Sequence, residues 1–261
     1  MSTAWEKAAL SGGDEAGYRQ SIQSGGHVAE TMIRSVEDLI GPLNEIERKY
    51  APRQLWVAGD PSIFAHGRIA SVVGSRHPSP AGVRRTRRLV SELVKRDIAV
   101  LSGLALGVDT VAHTTAIERG GRTIAVVGTP LGEATPRSNA RLLGLIIREH
   151  IAVSQFAPGS IVQKWNFTVR NRTMALLSPA TVVVEAGEGS GTRYQGWEAL
   201  RLGRPLYFLE SAVGAGDIQW INEQIEYGAE ILTDANCAAV LDAIPTRLPI
   251  PAHGLEEILP F

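Results

Sequence analysis

Hydrophobic residues gather in short, nearly unbroken runs through the middle of the chain, at 69–73, 98–101, 123–127, 151–154, 181–185 and 205–209. Branched runs of this length, without polar alternation, suit strands buried on both faces. Amphipathic stretches separate them. After the first run, Ser79 suits a helix N-cap and Pro80 the first helical position. Val83, Leu89, Val90, Leu93 and Val94 then recur at core-facing spacing, while Arg84, Arg85, Arg87, Arg88 and Lys95 take most of the rest. Strands alternating with helices predict an α/β, Rossmann-like fold: a doubly wound, mostly parallel sheet with helices on both faces. The first 50 residues read as an extension, helical from Ala29 to Tyr50, behind a polar start through Gly26 that is expected to be mobile. Residues 51–245 read as the Rossmann-like domain and 246–261 as a tail.

Ligands of such sheets bind outside the carboxyl ends of the strands, which directs attention to the loops there. Gly74-Ser75-Arg76 follows the first run. Its glycine permits a tight turn with N–H groups facing an anion, and Arg76 adds a guanidinium fork suited to phosphate, although many purely structural turns have the same composition. Ser102, Gly103 and Gly107 belong to a second small-residue loop, which opens a helix. Asp109 complements that helix's dipole, and His113, one turn on, reads with it as a supporting pair. Thr129 ends the third strand's loop, and Asn139 precedes another helix. Segment 166–172, NFTVRNR, brings Arg170, Asn171 and Arg172 beside Phe167, with Lys164 and Trp165 just upstream. Positive charge interleaved with rings suits a single nucleic-acid strand; the structural alternative is an arginine-capped helix start with a core phenylalanine. The loop after 181–185 offers Gly189, Ser190, Gly191 and Thr192, with Glu188 expected to face solvent.

Charge sharpens this picture. The net charge is −1, but residues 51–184 hold 17 Lys/Arg against 7 Asp/Glu, whereas 185–261 hold 4 against 12. Such polarity fits a polyanion on one face, or else a set of solvated helix faces. The lone Cys237 excludes a disulfide framework and reads as a buried small apolar residue at a helix start rather than a nucleophile. No apolar run approaches the ~20 residues of a membrane span, and the N-terminus lacks a secretory signal's hydrophobic segment. A cytoplasmic protein with no membrane partner is expected. Converging metal ligands are absent from the loops, so neither metal nor cofactor is expected.

LWVAGD (55–60), VVGSR (72–76), LSGLALGVDTVAH (101–113), GGRTIAVVGT (120–129), FTVRNR (167–172), VVVEAGEGSGT (182–192) and ALRLGRPLYFL (199–209) occur in an order and spacing that resemble the DprA/Smf family. The resemblance implies kinship with the LOG-type nucleotide phosphoribohydrolases. It also implies a non-catalytic, single-stranded DNA-binding recombination mediator of natural transformation that self-associates as a homodimer and loads a RecA-type recombinase. By position it makes Arg76, Ser102, Gly103, Arg170, Asn171, Arg172, Ser190, Gly191 and Thr192 the anion-facing set. The chain departs from the family's pattern at 134–139 (ATPRSN) and at 192–196 (TRYQG). A C-terminal winged helix is not expected in the short tail.

Two alternatives remain, a nucleotide-binding sensor and a LOG-like hydrolase. The hydrolase pattern places a glutamate three residues after its Gly-Thr, where this chain has Gln195, which cannot act as a general acid or base. Glu198 lies a turn further on. A predicted helix over 216–227, with Ile218, Ile221 and Ile225 in a stripe beside Trp220, either covers the sheet edge or supports self-association.

Overall fold

The computed structural model describes residues 19–24, 27–213 and 218–247. Strands β1 (Arg19–Ser24), β2 (His27–Arg34), β3 (Leu55–Gly59), β4 (Ile69–Val73), β5 (Ala99–Ser102), β6 (Thr123–Val127), β7 (Ile151–Ser154), β8 (Ala180–Val183), β9 (Leu206–Leu209) and β10 (Glu230–Leu232) join in one sheet. Its order is β1-β2-β3-β7-β6-β5-β4-β8-β9-β10. The strands from β7 across to β10 pair in parallel. The other three continue the sheet antiparallel beyond β7.

Helices α1 (Val36–Ile40), α2 (Glu45–Tyr50), α3 (Ser62–Ala65), α4 (Pro80–Lys95), α5 (Val108–Glu118), α6 (Ala140–Glu149), α7 (Lys164–Leu177), α8 (Thr192–Arg201), α9 (Glu210–Val213), α10 (Gln219–Glu226) and α11 (Cys237–Asp242) surround it. Alternate strand residues assign them to two faces. Ile69, Val73, Leu101 and Phe208 pack with α1, α3, α7, α8 and α10. Val72, Val100 and Val182 pack with Leu89 and Leu93 of α4 and Ala112 of α5. Ala125 and Val127 meet Leu143 and Ile146 of α6. Each fully buried Val, Leu or Ile stabilises by roughly 1.5–3 kcal/mol. The predicted doubly wound α/β fold is therefore present, and Ser79 caps α4 as read, accepting from the Gly82 N–H at 2.9 Å.

From β4 the chain steps to β5, β6 and β7 in one direction, then returns to place β8 on the other side of β4. At such a reversal the flanking connections run to opposite faces and leave a crevice at the strands' carboxyl ends.

Three expectations change. Helix over 29–50 holds only from Val36, because residues 27–34 are β2, paired to β3 with Ile33 opposite Trp56. Of the start expected to be mobile, residues 19–24 form β1, and the remainder lies outside the described residues, as does the tail from 248. The stripe of Ile218, Trp220 and Ile221 is buried, with Trp220 edge-on to Phe208 at 5.9 Å. It covers the sheet and offers no surface for self-association. Its helix begins at Gln219, and residues 214–217 lie outside the described ones.

Glu47 and His113 make stability fall with falling pH, while the burial of Asp109 works against them. Burial pushes Glu47 up, but hydrogen bonds from Arg247 and Arg204 outweigh it and hold the carboxyl at about 2. Arg204 also donates to the carbonyls closing α7, at 2.6 Å from Ala175 and 2.8 Å from Ser178. Burial pushes His113 down to about 3. Its Nδ1 lies 2.7 Å from the Thr123 hydroxyl, which itself donates to Val100, so Nδ1 carries the proton. Both native values lie below their ordinary ones, so the unfolded chain binds more protons and stability falls as pH falls. His113 acts from pH 6.5 downward and Glu47 only below 4.5. The unfolding free energy from urea curves is expected to drop between pH 6.5 and 5, approaching a slope of about 1.4 kcal/mol per pH unit for His113. His113→Asn should reduce the slope, leaving the share of His150, whose pKa burial also lowers. A pH-independent midpoint in the unsubstituted protein would contradict a neutral buried His113.

Candidate nucleic-acid interface

The crevice between β4 and β8 opens into two adjoining cavities of about 510 and 440 Å³, which share Arg76, Ala105, Arg170, Asn171 and Gly191. The sheet-edge loops after β4, β5, β6 and β8, one face of α7 from Lys164 to Met174 and the first turn of α8 build them. Helices α5, α7 and α8 all start at this edge without a side-chain cap, adding the partial positive charge of helix N-termini.

The loops are held from beneath. Gly74 is required by close approach, since a Cβ there would lie 2.7 Å from Val108 and 2.8 Å from the Glu185 carbonyl. Glu185 clamps the start of α4 by accepting from the Ser79 amide and hydroxyl, both at 2.7 Å. The loop after β5 contains Leu104 at φ 60°, a costly conformation for a branched side chain. Asn139 donates to the Leu104 carbonyl at 2.9 Å, and Asp109 accepts from the Gly103 and Ala105 amides at 3.2 and 3.3 Å. Asp109 is thus a loop support, but not as a pair with His113, whose ring is bonded to Thr123.

Arg170 is buried. Its Nη1 donates to the carbonyls of Gly103 and Val126, the latter at 2.9 Å, and its Nε to Asn171 at 3.0 Å. Asn171 donates onward to the Gly191 carbonyl at 3.2 Å. One arginine and one asparagine therefore connect the loops after β5 and β8 with strand β6. Burial raises the Asp109 pKa and lowers that of Arg170, each shift opposed by the other's charge; a guanidinium stays protonated in proteins.

Of the residues singled out in the sequence, Gly74, Ser75, Gly189, Ser190 and Thr192 line the inner cavity, Gly103 and Lys164 the outer one, and Arg76, Arg170, Asn171 and Gly191 both. Four are not brought there. The Ser102 hydroxyl is buried and donates to Val72 at 2.7 Å. Gly107 packs on the 75–76 turn, where a Cβ would strike backbone. The Thr129 hydroxyl donates to the Glu133 carbonyl. Arg172 points elsewhere on α7 and pairs with Glu198 at 2.9 Å. Arg172→Ala is accordingly expected to leave affinity for a groove-length oligonucleotide unchanged; a loss comparable to that of a groove cation in the same titration would contradict this placement. Glu188 is exposed and bonded to the Gln219 amide, as anticipated.

Arg76 and Lys164 are exposed at the mouth and have no ion pair among the described residues. Phe167, whose ring seats against Gly128, and Tyr194, 43% exposed, line the outer cavity. Trp165 stands exposed next to Lys164 and lines neither cavity. Tyr194 was missed as a site residue because only the fold turns the 192–196 segment toward α7. Gln195 lines the inner cavity, where its amide donates to Ser71 at 2.7 Å, and Glu198 lies outside both. Among the described residues, no three His, Cys, Asp or Glu side chains gather as metal ligands, and no helix is long and apolar enough to cross a membrane.

Small-residue loops, unpaired cations and rings at the switch point of a Rossmann-like sheet supply the groups that a phosphate-bearing ligand would need. The chain belongs to the DprA/Smf family: residues 35–242 match the model of the DNA recombination-mediator protein A family. It is 33% identical over 200 residues to the DNA processing protein DprA of Bacillus subtilis, covering 75% of this chain and 65% of that one. The solved structure of DNA processing protein A from Streptococcus pneumoniae superposes with a TM-score of 0.69 at 30% identity, covering 82% of this chain and 74% of that one. The Helicobacter pylori protein, whose structure describes a single-stranded DNA binding mode, shares the fold at TM-score 0.67 and 23% identity, covering 80% and 94%. This chain thus spans just under two thirds of the length of the curated relatives from B. subtilis and S. pneumoniae.

Proposed function

We propose that this protein binds single-stranded DNA, without reading its sequence, along the groove at the carboxyl edge of the sheet. The observation that carries this is the pairing of unpartnered cations with partly exposed rings, Arg76 and Lys164 beside Phe167 and Tyr194, over preorganised small-residue loops. Phosphates meet the cations and N–H groups while unpaired bases stack on the rings. No groove-reading helix-turn-helix was recognised in the sequence, so the contacts position a strand rather than specify bases. The DNA-processing role named for the pneumococcal protein, the single-stranded DNA binding mode of the H. pylori protein and the family's description as a recombination mediator support extending the reading. In that extension the strand is handed to a RecA-type recombinase by a self-associating cytoplasmic protein, with transformation as one setting.

Fluorescence anisotropy with labelled oligo-dT tests the central part. Affinity should fall steeply with salt, with a slope of about −0.7 per phosphate neutralised, and should favour single strands over duplex. Equal affinity for both would remove the stacking argument. The inner cavity, about 510 Å³, also has the size for one nucleotide, which favours a nucleotide sensor as the second reading. Full displacement of oligo-dT by a mononucleotide, with little salt dependence, would establish that reading instead. Hydrolysis is not part of the proposal: the inner wall offers the Gln195 amide where a carboxylate would be needed. Steady release of base from AMP, abolished in Asp109→Asn, would overturn this.

A further inference from the structure

A surface helix ordinarily turns charged and small polar residues to water, but the outward face of α8 sets large rings among its charges. Its buried side is Thr192, Gln195, Gly196 and Ala199. The side left outward carries Tyr194, Trp197, Glu198 and Arg201, with Arg193 at its margin. Arg193 lies over the Tyr194 ring at 4.8 Å, and Trp197 meets Tyr227 edge-on at 5.2 Å, with Tyr227 72% exposed. Arg201 lies 3.6 Å from the ring centre of Tyr50, itself 43% exposed, with Lys49 over the same ring at 5.4 Å. The one acid on this face, Glu198, is neutralised by Arg172 and Arg201.

We infer that this face is a second binding track, on which a single strand leaving the groove continues over α8 toward Tyr50. The inference rests on the groove reading above. Continuity supports it, because Tyr194 both lines the outer cavity and begins the stripe. From Tyr194 to Arg201 the helix rises roughly 10 Å, so the track extends well past the groove's edge. Chemistry favours a strand over a second protein chain. Protein interfaces favour arginine and rings but are depleted of lysine, so Lys49 over the Tyr50 ring is what turns the alternation of cations and rings toward a sequence-tolerant single-strand site. Arg201 also fixes Tyr50 as a platform by a cation–π contact.

The test is the dependence of affinity on strand length. Oligo-dT of roughly 6 nucleotides, enough for the groove, is compared with about 16 nucleotides on the intact chain and on Tyr50→Ala, Tyr50→Phe and Trp197→Ala, with melting curves for each. Tyr50→Ala and Trp197→Ala should each weaken the long oligomer about tenfold and leave the short one unchanged, and Tyr50→Phe should restore long-oligomer affinity. Equal losses for both lengths, or none for either, would overturn the track while leaving the groove reading intact. So would a change in mass by light scattering in Tyr50→Ala without DNA, which would make the face a contact between copies. Failure of the intact chain to bind even the short oligomer would sink both.

Discussion

Arg76→Ala is expected to weaken oligo-dT binding about tenfold and to flatten its salt slope by 0.7 to about 1 unit, with an unchanged melting temperature. Exposed at the groove mouth, the Arg76 side chain holds no other part of the protein in place among the described residues. Its guanidinium is available to phosphate, and a charge-assisted hydrogen bond contributes about 1.5–3 kcal/mol. Tenfold corresponds to about 1.4 kcal/mol, the low end, because an exposed side chain is partly screened. Lys164→Ala should act in the same direction from the start of α7, which lines the outer cavity together with Arg76. Unchanged affinity and slope in Arg76→Ala would remove this loop from the interface.

Arg170→Ala should behave differently, losing binding because the site itself loosens. The substitution leaves the carbonyls of Gly103 and Val126 without their donor and Asp109 buried without its nearby positive charge. Removing one member of a buried charged network costs about 3–5 kcal/mol. For a chain of this size that corresponds to a fall in melting temperature of roughly 6–20 °C. Denaturation curves should show this loss in the absence of DNA. A native melting curve combined with lost DNA affinity would instead make Arg170 a direct phosphate ligand.

The contrast between these arginines marks where sequence reading stops. Arg76 is legible because its glycine and serine neighbours follow a strand, and the fold rule places that loop at the ligand edge. Arg170 has the same chemistry, but its partners lie 67 and 44 residues away, so nothing local distinguishes a phosphate ligand from a structural brace. Arg172 is turned aside by Glu198, a partner from the next helix that pairing rules within one helix cannot anticipate. The core parallel strands were legible from their unbroken apolar runs. Strand β2, HVAETMIR, was not, because alanine, glutamate and methionine favour helix and only pairing with β3 overrides them. Burial of Thr31, at 1% exposure, belongs to that pairing and leaves no trace in local sequence.

Photocrosslinking of a single-stranded oligonucleotide carrying halogenated uracil, followed by mass spectrometry of the attached peptides, tests the central claim most directly. Adducts are expected on Phe167 and Tyr194, with a yield at subsaturating DNA that falls when Arg76 is replaced by alanine. Adducts confined to the arginine-rich outer face of α4, around Arg84 to Arg88, would contradict it, because the strand would then lie on a charged helix and not in the groove.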